Sequence, residues 1–533
     1  MRHGNSRRFP AMVALLVVPA ISPAIPVIAD ELTASPLTLV TGPTPFTPGC
    51  NGAPQSGALY PNAEVEPWVA VNPTNPGNLV GVWQQDRWSN GSANGVLAGV
   101  SRDGGQTWAT AMVPFSRCAG GNPANGGDFE RASDPWVTFA PNGDVYQMAL
   151  ARNVSNPDSA MLVSKSTDGG ATWTDPVVLR RDADPRVFND KDSITADPNN
   201  ANLVYAVWDR LRGLASRRRG FAGEHRVLEE LAAADALQGG LDSDAIPGGP
   251  TMFARTTDGG QTWEPAREIY DPGVRNQTVG NQIVVLPDQG PAGPFHGELV
   301  NVLTNICRSV FTCPAPLEPG RDVAIIRSTD RGDTWSAPIR VSGLAATGVQ
   351  DPDTGAPVRT GGDILPEIAM DPSSGNLYVV WQDSRFSGFA VDGIAFSASA
   401  DGGLTWSTPV QINQTPADIG LGEQQAFTPT IRVRADGTIG VAYYDFRNHT
   451  PGAPALETDA FLVHSHDQGA TWQETRLTAA SFDLRTAPVS QGFFLGDYQG
   501  LAAAGSRFTP LFVQTNSGNT ENRTDVFATT AGP

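Results

Sequence analysis

Residues 399–406 read Ser399-Ala400-Asp401-Gly402-Gly403-Leu404-Thr405-Trp406, and the fold follows from this stretch. Its pattern, Ser/Thr-x-Asp-x-Gly-x-Thr-Trp, returns at residues 101–108, 166–173, 256–263, 328–335 and 465–472. Each position has a physical reason. The Asp can accept hydrogen bonds from backbone N–H groups a few residues on and close a tight turn. The Gly suits a backbone with φ > 0. The Trp carries a large apolar area into the layer between neighbouring units.

Outward from these turns a second theme repeats. Glu66-Pro67-Trp68-Val69-Ala70-Val71, the turn 72–78 and Leu79-Val80-Gly81-Val82-Trp83 return in the same order at 136–150, 193–208, 368–381 and 431–444. Short β-branched and aromatic runs around Asn/Pro/Gly/Asp turns are antiparallel hairpins. A third run leads into each Asp turn and a fourth leaves it. Four strands in each repeat of roughly 65–70 residues predict an all-β chain, a single β-propeller of four-stranded blades. Hairpin spacing gives seven blades, with six blades plus tails as the alternative. The last unit runs out one strand short, and Pro36-Leu37-Thr38-Leu39-Val40 reads like the missing one. The expectation is a ring closed by strands from both termini, which removes exposed edges.

Residues 1–29 read as an export signal: Arg2, Arg7 and Arg8 precede an apolar run, and Val27-Ile28-Ala29 offers small residues for cleavage. Three prolines interrupt that run, so no membrane span is expected. The propeller then occupies 30–533, secreted, periplasmic or at the cell surface, as a monomer. Segment 211–250 reads as an insertion in the third blade, with an apolar helical stripe over 224–238 that would suit a lid. A formal charge of -19, from 55 acidic and 36 basic residues, excludes a general nucleic-acid partner. Four cysteines without a CxxC spacing fit two disulfides in an exported chain, Cys307 with Cys313 and Cys50 with Cys118.

The repeated turns resemble the Asp-boxes, or bacterial neuraminidase repeats, of the sialidase superfamily, and the resemblance spans essentially the whole mature chain. It implies a propeller with six Asp-boxes on the face opposite the functional one. The second-to-third loops and the connections between blades would then share the functional face. In a sialidase, three arginines bind the substrate carboxylate, a Tyr with a Glu partner is the nucleophile, and an Asp is the acid/base. Here no Arg-Ile-Pro motif stands at the first blade, which reads Ala63-Glu64-Val65-Glu66-Pro67-Trp68.

On that face the expected catalytic residues are Tyr498, Asp497, Asp134 and Asp363, and the expected substrate-binding residues are Arg210, Arg385, Arg447 and Asp192. Arginines can hold an anionic group bidentately; each Asp-Arg pair, such as Asp383-Ser384-Arg385 or Asp445-Phe446-Arg447, can equally be a local salt bridge. Asp351-Pro352-Asp353 could offer oxygen to calcium but reads better as a turn, and His464 and His466 lack a third ligand. No metal or cofactor is expected. Two functions stay open: a carbohydrate-active enzyme, exo-sialidase-like hydrolase or lyase, acting on acidic glycans, or a non-catalytic propeller that binds glycan or protein. The partner in the first case is a glycan or another anionic small ligand.

Overall fold

The computed structural model describes Met1 and residues 31–212, 248–288, 297–307, 313–361 and 364–533. Among them there is no α-helix, and the chain folds as an all-β propeller of antiparallel meanders. The first meander comprises Leu59–Val71, Leu79–Trp88, Ala93–Ser101 and Ala109–Met112. The next two begin at Arg131–Phe139 and Val187–Ala196, and the following three at Gln277–Val285, Glu367–Met370 and Ala426–Val433. Each continues through three further strands paired in sequence order.

The last meander, Gly500–Ala504, Arg507–Thr515 and Thr524–Ala528, takes its outer strand from the other end of the chain. Thr38 pairs with Ala528 and Leu39 with Phe527, as expected from the sequence. Thr33–Ala34 adds a second contact, on Ala531–Gly532.

The six Asp turns share one geometry. Asp401 Oδ1 accepts from the Thr405 amide at 2.9 Å, and its Oδ2 accepts from the Thr405 hydroxyl at 2.6 Å. Ser399 Oγ donates to the same carboxylate at 2.8 Å and accepts from the Gly403 amide at 2.9 Å. The pattern Gly is left-handed in every copy, with φ of 89° at Gly403. The turn's Trp reaches the preceding meander: Trp335 lies 5.7 Å from Phe253 and Trp472 lies 5.1 Å from Phe396, both edge-on. Gly104 donates to the Gly77 carbonyl and Gly259 to the Asn202 carbonyl, so Asp turns and first hairpin turns share one face.

The inner strands of all these meanders line one axial channel of about 340 Å³, from Trp68–Val71 round to Ala502 and Ala503. Both disulfides form as expected, Cys50–Cys118 and Cys307–Cys313. The helical stripe over 224–238 lies outside the described residues, as do residues 2–30 and Asp363.

Candidate functional site

At the channel end away from the Asp turns, the inner strands share a local distortion. Their register slips between Val65 and Trp68, Ser133 and Trp136, Asp190 and Asp192, Val279 and Gln282, and Phe427 and Thr430. Within each slip one residue has positive φ: Glu66, Asp134, Lys191, Gly280 and Thr428. Such bulges re-aim side chains that a regular strand would bury between sheets. Four of the five are not glycine, so the strain is held by neighbours. Side chains from adjacent strands bind the amides that the bulges leave out of the ladder: Asp209 Oδ2 accepts from Gly280 N at 2.9 Å, and Gln382 Oε1 accepts from Thr428 N at 2.9 Å.

The result is a cluster of charges at the channel mouth. Asp134, Asp190, Lys191, Asp209, Arg359 and Asp497 line a small cavity of about 30 Å³ there. Arg359 holds Asp497 in a fork, Nη2 to Oδ2 at 2.5 Å and Nε to Oδ1 at 3.2 Å. Its guanidinium and that of Arg87 flank the Phe494 ring, at 4.5 Å and 4.6 Å from its centre. Beneath Asp497 lies Glu66, whose Oε1 accepts the Asp497 amide at 3.3 Å and whose other oxygen accepts from Gln84. Burial first, then the nearby Asp134 and Asp497 charges, push the Glu66 carboxyl well above the carboxylate range. Asp192 is fully buried, neither oxygen has a well-formed hydrogen bond, and burial with Asp134 nearby raises it likewise. Burial pushes Asp209 up to about 8.

The Lys191 ammonium lies 4.0 Å from the centre of the Trp136 ring and 4.3 Å from that of Tyr498. Tyr498 itself is buried against Trp136 at 5.4 Å, and its hydroxyl donates to the Pro135 carbonyl at 3.3 Å. Burial and the surrounding carboxylates raise its pKa well above 10, which disfavours the phenolate a nucleophile needs.

The eight residues singled out in the sequence therefore divide. Asp134, Asp192, Asp497 and Tyr498 come together at the mouth. Arg210 is engaged elsewhere, on Asp182 of the preceding meander at 2.8 Å and 3.0 Å. Arg385 forks onto Asp383 at 2.7 Å and 2.8 Å. Arg447 is held by Asp445 at 2.6 Å, by Glu474 and by the Tyr443 hydroxyl. The local salt-bridge reading describes Arg385 and Arg447, whereas Arg210 leaves Asp209 and crosses to Asp182; all three guanidiniums are occupied by the protein's own carboxylates. Asp363 lies outside the described residues. Sequence reasoning passed over Lys191 and Arg359; the run Asp190-Lys191-Asp192 on an inner strand was the one signal for the first.

Asp351 and Asp353 are no calcium site in this arrangement, because Arg485 binds Asp351 at 2.7 Å and 2.8 Å and Asp353 at 2.8 Å. Among the described residues no group of His, Cys, Asp and Glu could hold a metal ion. Nor, among them, is any helix long and apolar enough to cross a membrane.

Residues 310–492 match the family model described as a BNR repeat-like domain. No curated protein matches the chain. Among solved structures, a Hadza microbial sialidase is 16% identical with a TM-score of 0.43, over 84% of this chain and 76% of that one. The leech intramolecular trans-sialidase complexed with 2,7-anhydro-Neu5Ac is 12% identical, TM-score 0.43, over 89% and 92%. A Penicillium chrysogenum α-L-arabinanase complexed with arabinobiose is 12% identical, TM-score 0.41, over 93% and 98%. Residues 310–492 thus carry a BNR repeat-like domain, and the same Ser/Thr-x-Asp-x-Gly-x-Thr-Trp turn recurs outside it at 101–108, 166–173 and 256–263.

Proposed function

We propose that this protein is an exported carbohydrate-active enzyme, a glycoside hydrolase whose chemistry sits at the channel mouth of a seven-bladed ring. One observation carries the reading: Asp134 and Asp497, from different meanders, line the same small cavity beside Lys191 and Arg359. Glycosidases commonly work with two carboxyl groups, one giving a proton to the leaving oxygen and one acting as base or nucleophile. Arg359 stabilises the ionised form of Asp497, which makes that residue the base or nucleophile. Asp134 faces the same cavity from another meander, beside the buried carboxyls of Glu66 and Asp192, and takes the part of the acid in this reading. Tyr498 takes a positioning role, holding Lys191 with Trp136.

The lining also bears on the substrate. Four aspartates face one lysine and one arginine, and the arginines expected to bind an anion are paired elsewhere. A neutral glycan fits this field better than the acidic one expected from the sequence. The test is turnover of a panel of neutral and acidic aryl glycosides by the mature chain, with Asp134→Asn and Asp497→Asn. Neutral-sugar turnover reduced at least about 100-fold in both folded variants is expected. Turnover that neither substitution changes would place the chemistry elsewhere.

A second reading, a non-catalytic glycan- or protein-binding propeller, is favoured by the size of the mouth cavity. About 30 Å³ is room for little more than one water. Wild type bound to glycan without turning over any of the panel would establish that reading instead.

A further inference from the structure

The axial channel is a separate space from the mouth: at about 340 Å³ it shares no lining residue with the small cavity above it. Trp68 and Trp136 stack at 3.4 Å between ring centres and both line the channel. The rest of its lining mixes apolar residues of the inner strands, Val71, Ile194, Val285 and Met370 among them, with Thr138, Thr195 and Gln282. Among the described lining residues one is charged, Arg432. The Arg432 guanidinium lies 4.6 Å over the Trp68 ring, and the described residues offer it one hydrogen bond, from Nη1 to the Ile431 carbonyl at 2.7 Å. A guanidinium has five N–H donors. No carboxylate among the described residues lies within ion-pair distance of it.

We propose that this channel is a second ligand site, which takes a small apolar monocarboxylate with its carboxylate on Arg432 and its hydrocarbon body along the inner strands. The site is independent of any chemistry at the mouth. Its volume falls in the range of small-molecule pockets, which combine apolar walls with few, fixed polar groups. The planar fork of Arg, already stacked on Trp68, is pre-organised for bidentate carboxylate binding. The nearest acidic influence on Arg432 is Glu367, which has one oxygen without a hydrogen-bond partner. Burial raises that carboxyl to about 7, so near neutral pH it only partly balances the guanidinium.

Benzoate is the probe and benzamide its uncharged counterpart. In the wild-type protein with labelled methionine methyls, benzoate should shift the Met370 signal, identified by Met370→Leu, with saturation, and benzamide should not. Benzoate affinity by calorimetry should fall at least tenfold in Arg432→Gln and survive in Arg432→Lys. No benzoate-dependent Met370 shift would overturn the proposal, and so would equal shifts by both compounds or undiminished affinity in Arg432→Gln. The Met370 comparison needs only wild-type binding site residues, so it decides the matter even where an Arg432 variant does not fold.

Discussion

The Glu66 carboxylate accepts the backbone amide of Asp497 at 3.3 Å, across 431 residues of sequence. The first inner strand and the entry to the last meander thus meet at the channel mouth. Both ends of the chain contribute to the same neighbourhood, and closure of the ring and integrity of the site depend on each other.

The first prediction follows from that closure. Removing residues 1–42 deletes the strand Thr38–Leu39, the contact of Thr33–Ala34 with Ala531–Gly532, and the 3.0 Å bond from Thr41 to Asp525. An exposed edge on Thr524–Ala528 would remain. The melting temperature should fall by several degrees relative to a chain starting at Glu31. Equal melting of the two forms would show that the outer strand adds nothing.

A second prediction separates the disulfides. Cys50–Cys118 spans 68 residues and Cys307–Cys313 only 6. Loop-closure entropy makes the first worth about 4 kcal/mol and the second about 2 kcal/mol. Paired Ala substitutions and urea denaturation should return that order. A larger loss from the short loop would mean that the unfolded-state account fails here.

How much of this was legible in the sequence depends on the range of the interactions. The Asp turns were plain because the bonds that close each one, such as Asp401 to Thr405, span four residues or fewer. The closing strand was legible because Leu37-Thr38-Leu39-Val40 repeats a pattern seen in other units. The mouth was only half legible. Lys191 enters it through positive φ in a bulge, which no alternation of apolar residues reveals. Arg359 enters it from a strand, Pro357–Arg359, that pairs in parallel with Phe493–Phe494, a non-local contact without a motif. The Asp-Arg pairs misled for the opposite reason: their proximity in sequence is what lets Arg385 and Arg447 bind their own loops.

Stability should report the buried carboxyls through pH. Asp209 has its folded pKa raised to about 8 by burial, against an ordinary value of 3.8. Between those values the folded state keeps a proton that the unfolded state has lost. This group therefore costs stability progressively as pH rises from about 4 to about 8. Glu367, at about 7, acts in the same direction. Asp209→Asn can still accept from the Gly280 amide, and removes the titration. Urea midpoints at about pH 5 and about pH 8 should fall less in the variant than in the wild type. Parallel falls would mean that Asp209 is not protonated in the folded protein.

The arginines give the last prediction, because two readings assign them opposite behaviour. If Arg447 binds substrate, replacing it should raise KM or abolish binding while the fold stays as stable as before. The geometry says otherwise. Arg447 is held between Asp445, Glu474 and the Tyr443 hydroxyl, with its guanidinium 3.7 Å over the Phe461 ring. Removing one partner of a buried pair leaves its carboxylates uncompensated, a loss on the order of 3 kcal/mol. Arg447→Ala should therefore lower the melting temperature and leave kcat/KM of the surviving folded fraction near the wild-type value. Arg359→Gln should do the reverse in kind: Asp497 loses the partner that keeps it ionised, and kcat falls with a shifted pH profile. Melting curves and pH–rate profiles for the two variants together decide it. A KM effect confined to Arg447→Ala at unchanged stability would restore the binding role that the sequence suggested and move the site away from Asp497.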